Sequence, residues 1–455
     1  MRLHRISIKF SILLLSGFLL SGCNRYLDVD PKGYTLLKNV EDYDLWMNDQ
    51  KLWIQPFDLN YLSDFVDFPN AAVPATSPTE LLYTWAPQYT DDAGFWGAHY
   101  SIINAYNSVI NGVESAVGGT ERQKKQLKAE ALLGRAYNYL FLVNEYAKSY
   151  DSATAATDPG VPFVTSDDVA QDVPPRSSVK VVYDRIIKDI TDAIPFLPED
   201  NSKNRFRASV AAAYSVLARV YLNAHNYEKA RESAERALQN TTGQAVIDYN
   251  AVANATALQP IDLREDVIFA RTAGSEVYYP STSFLKTFDV NDKRLRFFYT
   301  PLGDFSFPIR GGVYYFPSGS LAATNVLANS GTSVQEMKLI IAEAAARSGD
   351  LDEALKQLDE VRRNRITTAN YVPYSSTDPE YVLEKVLEER RFEFPFNGIR
   401  WFDMRRLAAE GRVTDFTRLD AQGNIIARLE PNSARYTLQI PAMVLQYNPD
   451  MKQNP

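Results

Sequence analysis

Two stretches of this chain carry the same helix–turn–helix pattern, and they constrain its fold more than any other feature. Ser209 to Leu238 reads SVAAAYSVLARVYLNAHNYEKARESAERAL. Val210, Ala213, Tyr214, Leu217 and Tyr221 recur at the spacing of one helical face. Ser209 precedes them as an N-cap, because its hydroxyl accepts an orphan N–H of the first turn. Asn223 to Asn226 is a polar break, and a second helix from Tyr227 places Ala230, Ala234, Ala237 and Leu238 on one side. Val334 to Arg363, VQEMKLIIAEAAARSGDLDEALKQLDEVRR, repeats the order. Met337, Ile340, Ile341, Ala344 and Ala345 line its first helix; Leu351, Ala354, Leu355, Leu358 and Val361 line its second. Gly349 and Asp350 make the turn, where glycine is free to take positive φ. Both stretches match a tetratricopeptide-type hairpin in pattern and approximate length.

The two hairpins are not in tandem. The segment between them, about 243–331, has turn signals, β-prone runs (DVIFA at 266–270, GGVYYF at 311–316) and many rings, among them Tyr278, Tyr279, Phe284, Phe288, Tyr314 and Tyr315. The expected fold is therefore mainly α. Tetratricopeptide-like helical hairpins form an α-α superhelix, with an irregular, loop-rich ligand-binding half containing short β segments. Loops displayed on a rigid scaffold are the place for specificity.

The amino terminus reads as an export signal. Arg2, Arg5 and Lys9 precede an apolar run from Phe10 to Leu20, too short to span a bilayer. Leu20-Ser21-Gly22-Cys23 matches a bacterial lipobox, and Cys23 is the single cysteine of the chain. It has no partner for an internal disulfide, so lipidation is the expected fate of its sulfur. An anchor of more than one acyl chain holds stably to a membrane, and Asn24 after the cysteine fits the outer membrane. Residues 1–22 are expected to be removed, and 23–39 form a lipidated tether. A 40–455 domain follows, with its scaffold at about 93–240 and 334–410. The formal charge of −8 moves to about −11 once Arg2, Arg5 and Lys9 are gone. So acidic a chain is a poor ligand for nucleic acid. Asp28, Asp30 and Gly33 look like the start of a calcium loop, but Pro31 and the missing glutamate argue against a metal.

Helices are expected over 40–49, 93–117, 121–146 and from Ser177 or Ser178 to Ala193, and Asp378-Pro379 opens one that runs to Phe394. Residues 51–89 read as a loop broken by Pro56, Pro69, Pro74 and Pro78, and the carboxyl-terminal tail as extended.

Several runs resemble, in order along nearly the whole chain, the SusD/RagB family of outer-membrane nutrient-binding lipoproteins. After the lipobox and YLDVDPKG come FWGAHYSIINAYNSVI (95–110), AEALLGRAYNYLFLVNEYA (129–147), DPGVPFVT (158–165) and the first hairpin. EERRFEFPFNGIRWFDMRR (388–406) and the closing IPAMVLQYNPDMKQNP follow the second, with Asn397 where the family has glutamate. The resemblance implies an exterior-facing outer-membrane protein that covers a SusC-like TonB-dependent transporter. It implies capture of oligosaccharides, or of peptides in some members, without cleavage and without a cofactor.

Catalytic signatures are sparse. After the signal only His99 and His225 remain, and no H-E-x-x-H, G-x-S-x-G or phosphate loop occurs. His225 falls in a hairpin turn and reads as solvated. Arg390, Arg391, Glu393, Arg400, Asp403 and Arg405 read as an ion-pair lattice that fixes packing. Carboxylates are abundant enough that a surface glycan hydrolase stays open, as does a helical-repeat scaffold lipoprotein for protein assembly. Rings carry the binding expectation, since a flat ring stacks on the apolar face of a sugar. Trp85 is the first choice, then Tyr278, Tyr279 and Tyr315, with Asp64 and Asp67 accepting from hydroxyls. Both loop segments, the one before Phe95 and the insertion, are expected to share the ligand surface.

Overall fold

The computed structural model describes residues 37–55, 59–68, 71–87, 93–273, 278–299 and 329–455. Cys23, the tether as far as residue 36, and Tyr315 lie outside them. The helices of six or more residues are α1 (Val40–Trp46), α2 (Pro78–Tyr83), α3 (Gly94–Gly112), α4 (Glu121–Tyr146), α5 (Val179–Ala193), α6 (Val210–Asn223), α7 (Tyr227–Gln239), α8 (Val334–Ser348), α9 (Leu351–Arg362), α10 (Pro379–Glu393), α11 (Ile399–Ala409) and α12 (Ala442–Tyr447). Each layer packs on the next: α3 on α4, α4 on α5, α6 on α7, α7 on α8, α8 on α9 and α10. No helix among the described residues is long and apolar enough to cross a membrane.

Local chemistry sets the ends of the expected hairpins. The Ser209 hydroxyl accepts from Ala212 N and the Ser333 hydroxyl from Glu336 N. Gly349 closes α8 at φ +83°. Ser178 caps α5 and Asp378 caps α10, the latter with Pro379 at the first helical position. The five positions expected to face inward on α8 are all buried. Helix α6 differs. It is buried nearly all round, and Val210, Tyr214 and Tyr221, expected on its inner face, are its half-exposed residues. The reason is its place, packed against α5, α7, α8 and the strands β4 and β6 described below.

The two hairpins meet in space through α7 and α8. A buried ion pair locks them: Arg219 on α6 donates from Nε to Glu336 Oε1 (3.0 Å) and from Nη2 to Oε2 (2.6 Å). The same guanidinium donates to the Ser330 carbonyl at 2.9 Å, and Tyr137 Oη donates to that carbonyl at 2.7 Å. The far end of the insertion is thus clamped to α4 and α6.

Strands are short. β1 (Ile54–Gln55) runs parallel to β5 (Thr272–Ala273). Antiparallel pairs join β2 (Pro159–Pro162) to β3 (Arg176–Ser178), β4 (Val267–Phe269) to β6 (Thr332–Ser333), and β7 (Phe416–Leu419) to β8 (Ile425–Leu429). The expected strand within 266–270 is β4; the expected run at 311–316 lies outside the described residues.

Several boundaries depart from expectation. Helix α1 stops at Trp46 rather than Asp49. Helix α3 ends at Gly112, where Tyr43 occupies the space a Cβ would need, and a 3₁₀ turn continues to Ser115. The loop over 51–89 contains helices. Pro78 does not break the chain there but opens α2, because the first helical position needs no N–H. The tail is not wholly extended, since α12 forms after Pro441. The β7–β8 hairpin was not foreseen; Asp420 closes it by accepting from Gln422 N and Asn424 N.

Candidate functional site: the junction of two loop segments

The front loop and the insertion, about two hundred residues apart, are joined side by side. Beyond the β1–β5 pair, Val66 bridges Pro280, Asp67 N donates to Tyr279 O at 2.9 Å, and Ser281 N donates to Phe65 O at 2.6 Å. The Asp67 carboxylate accepts from Thr282 N at 3.2 Å. The two segments expected to form the ligand surface are therefore neighbours in the fold.

Arg418 on β7 is the knot that holds the front loop. Its guanidinium donates to four carbonyls: Tyr83 (2.9 Å), Val66 (3.1 Å), Tyr61 (2.8 Å) and Ser63 (2.8 Å). It also lies 4.3 Å from the ring centroids of both Tyr83 and Trp85. Burial depresses its pKa, which the Tyr83 oxygen and Asp64 oppose. Glu80 holds the next turn. Its Oε1 accepts from Ala72 N at 2.8 Å and its Oε2 from Thr76 N and Ser77 N, each at 2.9 Å. These backbone donors hold its pKa down at about 2.

This framework decides which rings and acids are free to meet a ligand. Trp85 is 4% exposed, its indole N–H donates to Leu62 O at 2.9 Å, and its face is covered by Arg418. Tyr278 is 2% exposed and stacks on Phe396, centroids 5.3 Å apart at 19°. Neither presents the open face that sugar stacking needs; both are core. Asp64 departs from its expected part as well. Its Oδ1 accepts from Arg400 Nε at 2.8 Å, and its Oδ2 accepts from Arg400 Nη2 at 2.9 Å and faces Arg391 at 3.0 Å. Burial alone would raise its pKa, but the two guanidiniums outweigh burial and hold it well below the usual carboxylate range. Asp67 and Tyr279 are half-buried and lie together at the junction.

The half-exposed rings packed on this buried cluster are Tyr61, Phe68 and Phe298, with Ala71 and Ile426 beside the cluster as well, and half-buried Tyr279 follows Tyr278 in the chain. Tyr61 and Phe68 lie 6.2 Å apart, and each leans on a buried ring: Tyr61 on Tyr278 at 5.2 Å, Phe68 on Tyr83 at 5.8 Å. A buried second layer fixes the orientation of the outer rings, as a stacking surface requires. Ring size pointed to Trp85 in the sequence. That Tyr61 and Phe68 are half-buried against buried Leu62, Phe65 and Val66 is decided by the fold and carried no signal in the sequence.

The charged run at 388–406 is a packing lattice. Arg390 pairs with Asp403 at 2.8 Å, Arg406 with Glu343 at 2.6 Å, and Glu393 with both Arg294 (3.0 Å) and Arg365 (2.6 Å). Arg405 stands apart: it donates to the Ala147 carbonyl, and burial pushes its pKa down to about 10. His225 is not simply solvated. It sits at φ +56° with Nδ1 3.0 Å from Glu410 Oε1. His99 is buried between Asn138 (3.1 Å) and Glu145 (3.3 Å). Among the described residues, no group of three or more His, Cys, Asp or Glu is placed to hold a metal ion.

A family model described as "Starch-binding associating with outer membrane" (SusD-like) matches residues 68–222, and the SusD family model matches 335–455. SusD-like protein P2 of Formosa agariphila is 23% identical over 521 residues, covering 99% of each chain. Among solved structures, a SusD superfamily protein from Bacteroides thetaiotaomicron superposes with a TM-score of 0.74 at 21% identity, over 92% of this chain and 100% of that one. A putative sugar binding protein from Bacteroides vulgatus gives 0.73 at 22% identity, over 93% and 99%. A surface glycan-binding protein A from Bacteroides uniformis gives 0.70 at 17%, over 91% and 98%. The two family matches flank the insertion and together take in more than half of the chain, which belongs to the SusD/RagB family.

Proposed function

We propose that this protein captures oligosaccharides at the cell surface, held in the outer membrane by lipid on Cys23, and passes them uncleaved to a SusC-like TonB-dependent transporter. One observation carries the binding half of this reading: two distant loop segments converge where the half-exposed rings of Tyr61 and Phe68 lie together, with Asp67 next to Phe68 in the chain and bonded to the backbone of Tyr279 and Thr282. A rigid pair of rings with a neighbouring carboxylate suits a sugar, whose C–H face stacks and whose hydroxyls donate. Two similar structures bear the names of sugar- and glycan-binding proteins, which accords with that chemistry. Asp64, between Tyr61 and Phe68 in the sequence, is fully engaged by arginines, which suits a structural part better than proton transfer.

Calorimetric titration against a panel of neutral, acidic and amino oligosaccharides tests the reading, with the recovered glycans sized by mass spectrometry. A glycan that binds and returns intact is the expected result. Tyr61→Ala with Phe68→Ala removes two stacking faces, each contributing about 1–2 kcal/mol, so affinity for that glycan falls by roughly tenfold or more. Cleaved glycan would make the protein a hydrolase. Absence of binding to every glycan would leave a protein-assembly scaffold.

A further inference from the structure

A second concave surface shares no residue with the ring junction. It is a groove of about 880 Å³ between one face of α3, the loop 163–174 and the carboxyl-terminal helix α12. Its floor holds Trp96, Phe163 and Met451. At its rim, four large apolar residues stand in water: Val169 (88% exposed), Tyr447 (77%), Val173 (50%) and Met443 (37%). Scattered apolar side chains on a surface are ordinary, but a contiguous patch rimmed by polar groups marks a docking site.

Charge says what docks there. The loop wall, FVTSDDVAQDVP, carries Asp167, Asp168 and Asp172 and no Lys or Arg. All three are exposed. The bonds that Asp167 and Asp168 accept come from neutral donors, the Asn111 amide at 2.8 Å and Ala170 N at 2.9 Å, so the charges stay uncompensated. Among the described residues Arg185 is the one base lining the groove; it is exposed, and its guanidinium rests against Phe163, 5.0 Å from the ring centroid and 3.5 Å from the carbonyl, so the acids of the lip outnumber it. An apolar floor with an acidic lip repels an anionic membrane surface and a second copy of this acidic chain. It attracts apolar side chains flanked by cations. The α3 wall, from Ala93 to Asn104, is about 16 Å long at 1.5 Å per residue, which matches about five residues of extended chain.

We propose that this groove binds an extended polypeptide segment of another protein, one that presents aromatic or aliphatic side chains flanked by Lys or Arg. The inference stands whether or not the ring junction binds sugar. Selection of a phage-displayed random peptide library on the full-length protein in detergent tests it, with a selected peptide synthesised for fluorescence anisotropy. Peptides with apolar residues beside Lys or Arg should be enriched. Tyr447→Ser, at an exposed position that cannot unfold the chain, should weaken the peptide by about fivefold or more. Asp168→Asn with Asp172→Asn should weaken it by about threefold, an effect that shrinks as salt is raised. Failure to enrich any motif, equal binding by Tyr447→Ser, or indifference to the basic flanks would overturn the proposal. So would a wild-type dimer in solution, competition by a synthetic peptide of residues 24–36, or binding to phosphatidylethanolamine–phosphatidylglycerol vesicles, if Tyr447→Ser abolished it.

Discussion

Trp85 and Tyr61 belong to the same loop, yet substitution should separate them. Trp85→Ala removes a buried ring, strips Arg418 of a platform and leaves the Leu62 carbonyl without its donor. Large-to-small changes of this kind cost about 3–5 kcal/mol, so the melting temperature should fall sharply. Tyr61→Ala should leave the melting curve close to wild type while weakening glycan binding; differential scanning fluorimetry beside calorimetry reads both. Glu80 adds a pH dependence. Its folded pKa, about 2, lies below the ordinary 4.5. Its contribution is therefore complete above about pH 4.5 and is lost as pH falls toward 2. The protection factors of the residue 71–77 amides, corrected for the intrinsic pH dependence of exchange, should fall over that window, and Glu80→Gln should remove most of the difference; protection factors independent of pH in the wild type would count against this pinning. Ring identity was legible in the sequence and ring exposure was not. Trp85 is covered by an arginine more than three hundred positions away, and Asp64 is claimed by Arg400 at a similar remove. No local pattern carries such a contact.

Among the elements, the hairpins were legible because their signals are local. Ser209 caps the first hairpin and the Gly349 turn of the second needs only its own backbone, and outside the hairpins Ser178 and Asp378 likewise cap the helices they precede. Gly349 sits at φ +83° with open space where a Cβ would go. Gly349→Val should therefore cost about 1–2 kcal/mol through backbone strain alone, seen as a lower melting temperature with glycan affinity unchanged. An unaltered melting curve would mean that the turn relaxes. The elements that escaped reading owe their form to tertiary context. Helix α12 is only six residues long and has no side-chain cap. The β7–β8 ribbon exists to deliver Arg418 into the loop, a purpose visible only in three dimensions. The inner face of α6 was misplaced because its neighbours surround it and no single apolar stripe exists.

At the level of the whole molecule, the helical scaffold expected from the two hairpins is the one found, and the two loop regions lie side by side on it. The proposed membrane attachment rests on Cys23 alone. Cys23→Ala should abolish incorporation of radioactive palmitate and move the protein out of the outer-membrane fraction; equal labelling of wild type and variant would remove the anchor from the proposal. The joint between the hairpins has a bearing on biosynthesis. Arg219 is 1% exposed, and its carboxylate partner, Glu336, lies 117 positions further along the chain. A buried cation without its anion is strongly destabilising. The amino-terminal helices therefore cannot close around Arg219 until the second hairpin has been synthesised and has docked. Under the proposed export this delay is useful: the chain stays unfinished, and so threadable, for most of its passage through a translocation channel.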